Sequence, residues 1–329
     1  MQEGKALFEA ASGKITKSMG VFYNPMMKTN RDMSVLLLNA LGVKQKIALP
    51  LAASGIRGIR FLLEIKPKPE VHFNDLSKEA VKKIKKNLTK NKIKSGYELH
   101  NKDANLFLLE SDGFSYIDID PFGSPNPFLD SSIRRISRHG VLAVTATDTA
   151  PLCGTYPKAC KRKYWSTPKR NGSMHETGIR ILIRKVQLIG AQYEKALIPC
   201  FCFYKDHYFR LFFYAEKSKT KVDQLLKQHG MHDEAGPLWL GELWDKKLVS
   251  KMSKLDPENK FLQTIKQESK IKSIGIVQLG ELGKQLKTNL PKREDLIAKL
   301  KKAGFKASVT HFTPEAIKVD GKPNYKKLI

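Results

Sequence analysis

The stretch "KIALPLAASGIRGIRFLLEI" (Lys46–Ile65) decides the fold class of this chain. Its first six residues form a short apolar run, which predicts a buried strand. The loop "AASGIRG" follows, and "IRFLLEI" then reads as a helix. A buried strand that passes through a glycine-containing loop into a helix is the first half of a βαβ unit. The stretch therefore predicts a parallel sheet flanked by helices.

The same alternation of extended and helical segments continues from about residue 30 to residue 215. Asn30 is predicted to cap the helix that Gly42 ends, and Ser77 is predicted to cap a long basic helix. Two late extended runs are separated by only two residues, which predicts an antiparallel hairpin. The remaining predicted strands are "EVHFNDL", "YELHNKDA", "FSYIDID" and "GVLAVTAT", and the hairpin runs are "KALIPCFCFY" and "HYFRLFFYAE".

Five parallel strands followed by an antiparallel hairpin resemble the class I methyltransferases, a Rossmann-like α/β fold with a seven-stranded mixed sheet. This rhythm ends near residue 217, where the sequence becomes richer in lysine. We therefore expect a methyltransferase domain over residues 1–216 and a smaller C-terminal α+β domain over residues 217–329. The ligands of such a sheet bind at the carboxyl ends of its strands.

The charge of the chain is strongly basic. Its 329 residues include 59 Lys and Arg against 32 Asp and Glu, which gives a formal net charge of +27. Such an excess favours a nucleic-acid partner, although a lysine-rich proteome in a heat-adapted cell is the alternative. No apolar run is long enough for a membrane span, and the start lacks a secretory signal, so we expect no membrane partner and a cytoplasmic location. The four cysteines lack a Cys-x-x-Cys pair, and we expect them to be reduced thiols rather than metal ligands.

Acidic residues follow the glycine loop at the ends of the next two predicted strands. Asp75 lies 20 residues after Gly55, where a carboxylate can accept hydrogen bonds from both ribose hydroxyls of an adenosine. Asp103 ends the next strand, where it can accept from an adenine amino group while the Ala104 N–H donates to the ring. Each acid alone is more often a turn residue or a helix cap. In this order, however, the three strand ends favour S-adenosylmethionine as the cofactor.

An arginine upstream of the glycine loop is a further candidate for that cofactor. Arg31 stands near the start of a predicted helix, where it is suited to hold the carboxylate of the methionine moiety by a bidentate bond. An ordinary surface arginine in the first turn of a helix is an equal alternative.

The stretch "DIDPFG" ends the fourth predicted strand, beside the expected methyl donor. The lone pair of an exocyclic amine is delocalised into its base, so a group that accepts the hydrogen bonds of the amine, and then its proton, favours methylation. Asp120 supplies that acceptor, Pro121 fixes the backbone, and Phe122 offers a ring that stacks on the base. Phe22 is the candidate for the opposite face of the base, with Tyr23 as its alternative. The simpler interpretation is an Asp-Pro turn with Phe122 in the core.

Several stretches together carry a family resemblance. They are "FYNPMMKTNRDMSV", "SGIRGIRF", "DIDPFGSPNPF", "LCGTYPKACKRKYW" and "HETGIRIL". The chain resembles the tRNA (guanine-26) N2-dimethyltransferases, and weaker similarity continues to the C-terminus. The resemblance implies an enzyme that uses S-adenosylmethionine to methylate N2 of guanine 26 in tRNA once or twice, with Asp120 as the catalytic residue and with Phe22 and Phe122 on the two faces of the base.

The resemblance also implies a set of cofactor-binding residues and prefers Arg57 to Arg60 among the two arginines of the glycine loop. The set is Arg31, Arg57, Asp75, Asp103 and Ala104. Members of this family often carry a cysteine cluster just before "GPLW", but "KQHGMHDEAGPLW" contains no cysteine. We therefore expect no metal site there.

The segment "YPKACKRKYWSTPKR" (Tyr156–Arg170) is a candidate contact for tRNA, because it combines six basic residues with three aromatic rings. A solvated loop is its alternative, and no segment points to a required protein partner. Two other functions stay open. One is methylation of another guanine or adenine amino group in RNA or DNA, and the other is a non-catalytic basic RNA-binding protein with a methyltransferase-like fold.

Overall fold

The computed structural model describes residues 1–10, 23–42 and 45–328. From the N-terminus to the seventh strand, the elements are β1 (Gln2–Glu3), β2 (Ala6–Leu7), α1 (Lys28–Leu41), β3 (Lys46–Leu49), α2 (Ile56–Glu64), β4 (Glu70–Asn74), α3 (Lys78–Lys90), β5 (Tyr97–His100), α4 (Ala104–Leu109), β6 (Phe114–Ile119), α5 (Asn126–Arg135) and β7 (Ile136–Ala146). A short 3-10 turn, Pro25–Met27, precedes α1.

The remaining elements extend to the C-terminus. They are α6 (Thr149–Leu152), α7 (Pro157–Tyr164), α8 (Met174–Ala191), β8 (Lys195–Lys205), β9 (Tyr208–Lys217), α9 (Lys219–Leu226), β10 (His229–His232), β11 (Ala235–Trp239), α10 (Lys246–Leu255), α11 (Lys260–Glu268), β12 (Val277–Gln278), α12 (Leu279–Leu286), α13 (Arg293–Lys302), β13 (Ala307–Val309), β14 (Ala316–Val319) and the 3-10 turn Tyr325–Lys327.

The main sheet has seven strands in the order β5-β4-β3-β6-β7-β9-β8. The pairs β3-β4, β3-β6, β4-β5 and β6-β7 are all parallel. Strands β8 and β9 are joined by only two residues and form the predicted hairpin. The α/β class with a seven-stranded mixed sheet is therefore confirmed. Because the chain proceeds to one side of β3 and then to the other, the carboxyl ends of β3 and β6 flank the switch point where such sheets bind ligands.

Helix α2 packs closely on the sheet because Gly58 has no side chain. A Cβ at this position would lie 2.2 Å from Cε1 of Phe73 and 2.7 Å from Cδ1 of Leu49. Gly55, at the start of the helix, has a φ of 76°, a left-handed conformation that glycine adopts without strain. The two glycines of the loop therefore have separate roles, since Gly55 forms the turn and Gly58 allows the close approach.

Helix α1 begins earlier than predicted. It follows directly from the 3-10 turn Pro25–Met27, which Asn24 caps through a side chain that accepts from the Met26 N–H at 3.0 Å. Asn30 is buried within the helix and donates to Oγ1 of Thr145 at 3.2 Å, so its prediction as the cap is wrong. Two other caps are confirmed: a left-handed Gly42 ends α1, and the Ser77 hydroxyl caps α3.

The chain folds into two compact units. The first comprises Met1–Thr147, Ile189–Ile198 and Phe212–Val222, and the second comprises Asp148–Leu188, Pro199–Leu211 and Asp223–Ile329. The two units alternate along the chain, whereas the sequence suggested one boundary after residue 216, and that boundary stays a prediction. The second unit contains a three-stranded antiparallel sheet in the order β12-β14-β13, which packs its apolar side chains with those of α12 and α13.

A buried ion network also stabilises the second unit. Glu176 on α8 pairs with Arg180 at 2.8 Å and with Lys318 on β14 at 2.8 Å, and all three side chains are at most 3% exposed. Burial alone would raise the pKa of Glu176, but the two cations lower it to about 2. Within the described parts of the chain, no helix is both long and apolar enough to cross a membrane.

Candidate active site

A cavity of about 460 Å³ lies in the first unit at the carboxyl ends of β3, β4 and β6. Its lining brings together six of the residues that the sequence singled out. These are Arg31, Arg57, Asp75, Asp120, Pro121 and Phe122. The cavity thus occupies the switch point of the sheet, and it contains both the predicted cofactor acid of β4 and the Asp-Pro-Phe stretch.

Asp75 holds the loop between β3 and α2 in place. One carboxylate oxygen accepts from the Ala53 N–H and the other from the Ser77 N–H, each at 2.9 Å. The side chain is partly exposed and lines the cavity. The acid therefore fixes the glycine loop from a position on the cavity wall.

Asp103 and Ala104 do not line this cavity. The Asp103 carboxylate caps α4, because Oδ1 accepts from the Asn105 N–H at 2.9 Å and from the Leu106 N–H at 3.2 Å. Asp103 is exposed and Ala104 is buried. The role of these two residues in binding a cofactor stays a prediction, as does that of Phe22, which lies outside the described residues.

Arg57, rather than Arg60, faces the cavity. Its guanidinium pairs with the Asp120 carboxylate, lies 3.4 Å from Oδ2 of Asp118, and donates to the Ser34 hydroxyl at 3.0 Å. Arg60 pairs instead with carboxylates outside the cavity lining, at 2.6–2.9 Å; these belong to Glu3, Asp32 and Glu64. The sequence analysis preferred Arg57 to Arg60 as a cofactor-binding residue. The structure adds a direct ion pair between Arg57 and Asp120.

Asp118 also lines the cavity, as its place two residues before Asp120 suggests. Its carboxylate is 2% exposed and accepts from the Tyr116 hydroxyl at 2.7 Å, beside the Arg57 guanidinium. Its position two residues before Asp120 on the same strand was the available signal, since alternate residues of a strand share a face. The pair of acids explains why an arginine is buried at this point of the cavity wall.

Arg31 is held by a carboxylate from the N-terminal hairpin. It binds Glu3 through two parallel hydrogen bonds of 2.7 and 2.6 Å, and Nη2 also donates to the Asn24 carbonyl at 3.0 Å. The Tyr23 ring lies 5.0 Å from the guanidinium, and its hydroxyl donates to Glu3 at 2.7 Å. Against the effect of burial, these contacts lower the pKa of Glu3 to about 2. Arg31 is thus a fixed positive group in the cavity wall.

Three residues of the Asp-Pro-Phe-Gly stretch, Asp120, Pro121 and Phe122, also line the cavity. Asp120 follows β6, its side chain is 23% exposed, and Pro121 behind it is buried. Gly123 closes the bend with a φ of 81°, and it is clamped to Thr147 by its N–H, at 2.7 Å, and by its carbonyl, at 3.0 Å. Phe122 is 74% exposed, so the expectation that it lies in the core is wrong. A carboxylate and an aromatic face therefore stand next to each other on a rigid bend.

The basic segment Tyr156–Arg170 forms α7 and the turn after it, in the second unit. Lys158, Lys161 and Arg162 are exposed, as the prediction of an RNA contact requires. Tyr164, however, is fully buried, with its hydroxyl 3.3 Å from Asp148, and it offers no face to a base. Trp165 is 48% exposed, but its ring contacts Nζ of Lys185 at 2.9 Å.

The chain matches the family model described as N2,N2-dimethylguanosine tRNA methyltransferase over residues 3–234 and 229–325. It is 39% identical to the tRNA (guanine(26)-N(2)/guanine(27)-N(2))-dimethyltransferase of Aquifex aeolicus, over 97% of this chain and 92% of that protein. It is 38% identical to the tRNA (guanine(26)-N(2))-dimethyltransferase of Methanocaldococcus jannaschii, over 97% of this chain and 95% of that protein.

A solved structure is similar over the whole chain. It is Trm1 from Pyrococcus horikoshii in complex with S-adenosyl-L-methionine, which superposes with a TM-score of 0.90 at 36% identity. The match covers 100% of this chain and 98% of the other. The predicted fold class and the resemblance drawn from the sequence motifs are both confirmed by these comparisons.

Proposed function

The chain belongs to the N2,N2-dimethylguanosine tRNA methyltransferase family, and on that premise we propose that it transfers methyl groups from S-adenosylmethionine to N2 of guanine 26 in tRNA. One observation carries the proposal for the chemistry. The partly exposed Asp120 carboxylate and the exposed Phe122 ring adjoin each other in a cavity at the switch point of the sheet.

The residues of the cavity suit S-adenosylmethionine. Asp75 offers carboxylate oxygens to the ribose hydroxyls at the end of β4, and the loop before α2 brings backbone N–H groups to the same place. Glu3 and Asn24 engage Nε and Nη2 of Arg31, so we assign its remaining nitrogen, Nη1, to the carboxylate of the methionine moiety. When bound, the cofactor supplies an electrophilic methyl group attached to a sulfonium.

We assign the catalytic role to Asp120. The ion pair with Arg57 engages Oδ2, and Oδ1 is the oxygen that would accept the hydrogen bond from N2–H of guanine. That bond orients the amine and increases the electron density on nitrogen as the new N–C bond forms and the C–S bond breaks. The amine proton then passes to the carboxylate and on to water. Because the amine begins with two N–H bonds, the same acceptor serves both methyl transfers.

Phe122 holds the guanine against the carboxylate. An unpaired base in an enzyme pocket is held by stacking on an aromatic ring, and the exposed ring of Phe122 is fixed by the clamped bend on which it sits. Phe22 is the proposed partner on the other face of the base, as its place before Arg31 in the sequence suggests. Tyr23 is less suited to that role, because its ring packs on Phe8 with centroids 4.6 Å apart.

Guanine 27 is a second candidate substrate position. The Aquifex aeolicus relative, at 39% identity, is named for both guanine 26 and guanine 27. Both positions present the same amino group, so the chemistry of Asp120 does not choose between them.

The proposal is tested by incubating the protein with labelled S-adenosylmethionine and an unmodified tRNA transcript, followed by nucleoside analysis. We expect N2,N2-dimethylguanosine, and we expect it to disappear when guanine 26 of the transcript is replaced by adenine. Label that persists in this transcript but is lost when guanine 27 is also replaced identifies the second position. Cofactor binding without any N2-methylated guanosine contradicts the proposal and supports methylation of another base or a non-catalytic role.

A further inference from the structure

Three side chains of the kind that bind metal ions converge on β4 and β5, outside the cavity described above. They are His72 on β4, and Glu98 and His100 on β5. The parallel register pairs His72 with Glu98, and His100 lies two residues further along the same strand. All three side chains therefore project from one face of the sheet. His72 and His100 are 28 residues apart in the chain, so the cluster follows from strand pairing and not from local spacing.

The distances within the cluster match one face of a tetrahedron. Nδ1 of His72 lies 3.4 Å from Nε2 of His100 and 3.3 Å from Oε2 of Glu98, and Nε2 of His100 lies 3.2 Å from the same oxygen. Zinc binds histidine nitrogens and carboxylate oxygens at about 2.0–2.2 Å in tetrahedral sites, which separates neighbouring ligand atoms by about 3.3–3.5 Å. One ion would therefore fit at bonding distance from all three atoms with little movement of the side chains.

The hydrogen bond on the far side of the His72 ring indicates where its lone pair points. Nε2 of His72 lies 2.8 Å from Oε1 of Glu70, an arrangement in which Nε2 donates to that carboxylate and Nδ1 faces the cluster. A carboxylate that fixes the outer nitrogen of a histidine is also the usual support of a metal-binding imidazole.

We propose that His72, Glu98 and His100 bind one divalent transition-metal ion, best matched by zinc, and that this ion ties the edge strand β5 to β4. The three ligands leave a fourth position for water on the exposed side, where the Glu98 side chain is 55% exposed. The site is separate from the cysteine clusters seen elsewhere in the family, since it uses no cysteine. It also does not depend on the proposed reaction, because none of its ligands lines the cavity.

Metal binding by the purified, chelator-treated full chain tests the proposal. Zinc is titrated in competition with a chromogenic chelator, and the unfolding temperature is measured with and without zinc. We expect one ion per chain and a higher unfolding temperature in its presence. Glu98→Gln and His100→Gln should each weaken binding by about a hundredfold or more and abolish the thermal shift. Glu70→Gln, which removes only the support of His72, should weaken it by about 10- to 100-fold.

A matched control removes an exposed histidine elsewhere. His139 is exposed with a φ of 62°, a conformation that asparagine tolerates, so His139→Asn should leave zinc affinity unchanged. Circular dichroism without metal shows whether each variant is folded, and Glu98 is the safest position because it is exposed on the edge strand. The proposal is overturned if the wild-type chain binds no stoichiometric zinc, or if the folded Glu98→Gln variant binds it as tightly as the wild type.

Discussion

Phe122 shows how one exposed side chain defines a binding site. A large apolar side chain that is 74% exposed gains little from burial in the fold, yet the bend that carries it is fixed by the buried Pro121 and by two hydrogen bonds to Thr147. The backbone that carries the ring is therefore fixed, while the ring itself is largely exposed. Next to the Asp120 carboxylate, it forms a surface that matches a planar base with an amino group at its edge.

Phe122→Ala should impair catalysis without loss of stability. Stacking of one base on an aromatic ring contributes about 1–3 kcal/mol, so we expect kcat/KM for tRNA to fall by about 5- to 150-fold. Phe122→Tyr keeps the ring and should retain most of the activity. The unfolding temperature of both variants should stay near that of the wild type, because the side chain is largely outside the core. Full activity of the alanine variant would show that the Phe122 ring does not bind the substrate.

At the scale of secondary structure, Gly58 lets α2 approach the sheet next to the cavity. A glycine inside a helix normally costs about 0.5–1 kcal/mol relative to alanine, so the exchange to alanine would ordinarily stabilise the protein. Here a Cβ would lie 2.2 Å from Phe73, and overpacking of this kind costs about 1–3 kcal/mol. The clash outweighs the gain in helix propensity.

We therefore expect Gly58→Ala to lower the free energy of unfolding by about 0.5–2 kcal/mol and to weaken S-adenosylmethionine binding, because α2 carries Arg57 and follows the loop that Asp75 holds. Urea unfolding and cofactor titration measure the two effects. The double variant Gly58→Ala with Phe73→Leu should recover part of the stability, since the smaller side chain relieves the clash. If Gly58→Ala alone were more stable than the wild type, α2 would have to move away from Phe73 without cost, and the prediction would be wrong.

The buried network of Glu176 makes a second prediction at this scale. Loss of Glu176 leaves Arg180 and Lys318 buried without their shared carboxylate, whereas loss of Lys318 leaves Glu176 paired with Arg180. Glu176→Gln should therefore destabilise the protein by about 3–5 kcal/mol, and Lys318→Met should cost less. Thermal and urea unfolding check this order, and a larger loss for Lys318→Met would contradict it.

The sequence was most informative about the elements whose signals are local. The apolar run before the glycine loop, the Ser77 cap and the two-residue hairpin each depend on neighbours in the chain, and the structure contains them all. Asn30 was misassigned because a second asparagine, Asn24, lies six residues earlier and caps the 3-10 turn that leads into the helix. Local residue type identifies a cap, but it does not choose between two candidates.

Pairings between distant residues were not predictable in this way. Glu3 reaches Arg31 across 28 residues and Arg60 across 57, and Arg57 reaches Asp120 across 63. Such pairs depend on how strands and helices are placed, which the charge pattern does not encode. For this reason the sequence identified Arg57 and Asp120 as site residues separately and gave no indication that they form an ion pair.

At the scale of the whole molecule, the net charge of +27 should make the affinity for tRNA depend strongly on salt. A polyanion such as tRNA releases bound counterions when basic side chains neutralise its phosphates, and this makes the affinity fall linearly with salt on a logarithmic scale. The small cofactor carries no such array of charges. Salt should therefore weaken the binding of tRNA far more than that of S-adenosylmethionine.

The segment α7 is the proposed source of part of this effect. Replacing Lys158, Lys161 and Arg162 together with glutamine should weaken tRNA binding at low salt and reduce the salt slope by about one for each phosphate that is no longer neutralised. The matched control replaces three exposed lysines of α3 with glutamine: Lys78, Lys82 and Lys85. Filter binding across a range of KCl concentrations gives both slopes. Equal reductions in the two variants would mean that net charge, rather than α7, determines the affinity.

The most direct test of the account is methyl transfer by Asp120→Ala, measured by single-turnover nucleoside analysis alongside cofactor and tRNA binding. Arg57 keeps Asp118 as a partner in this variant, so the fold and the cavity should persist. We predict that transfer to guanine falls by about 10²- to 10⁴-fold, as for removal of a general base, while both ligands still bind. Asp112→Ala, which removes an exposed aspartate before β6, should retain full activity. Methyl transfer by Asp120→Ala at the wild-type rate would contradict the proposal that this carboxylate accepts a hydrogen bond, and then a proton, from the amino group of the substrate.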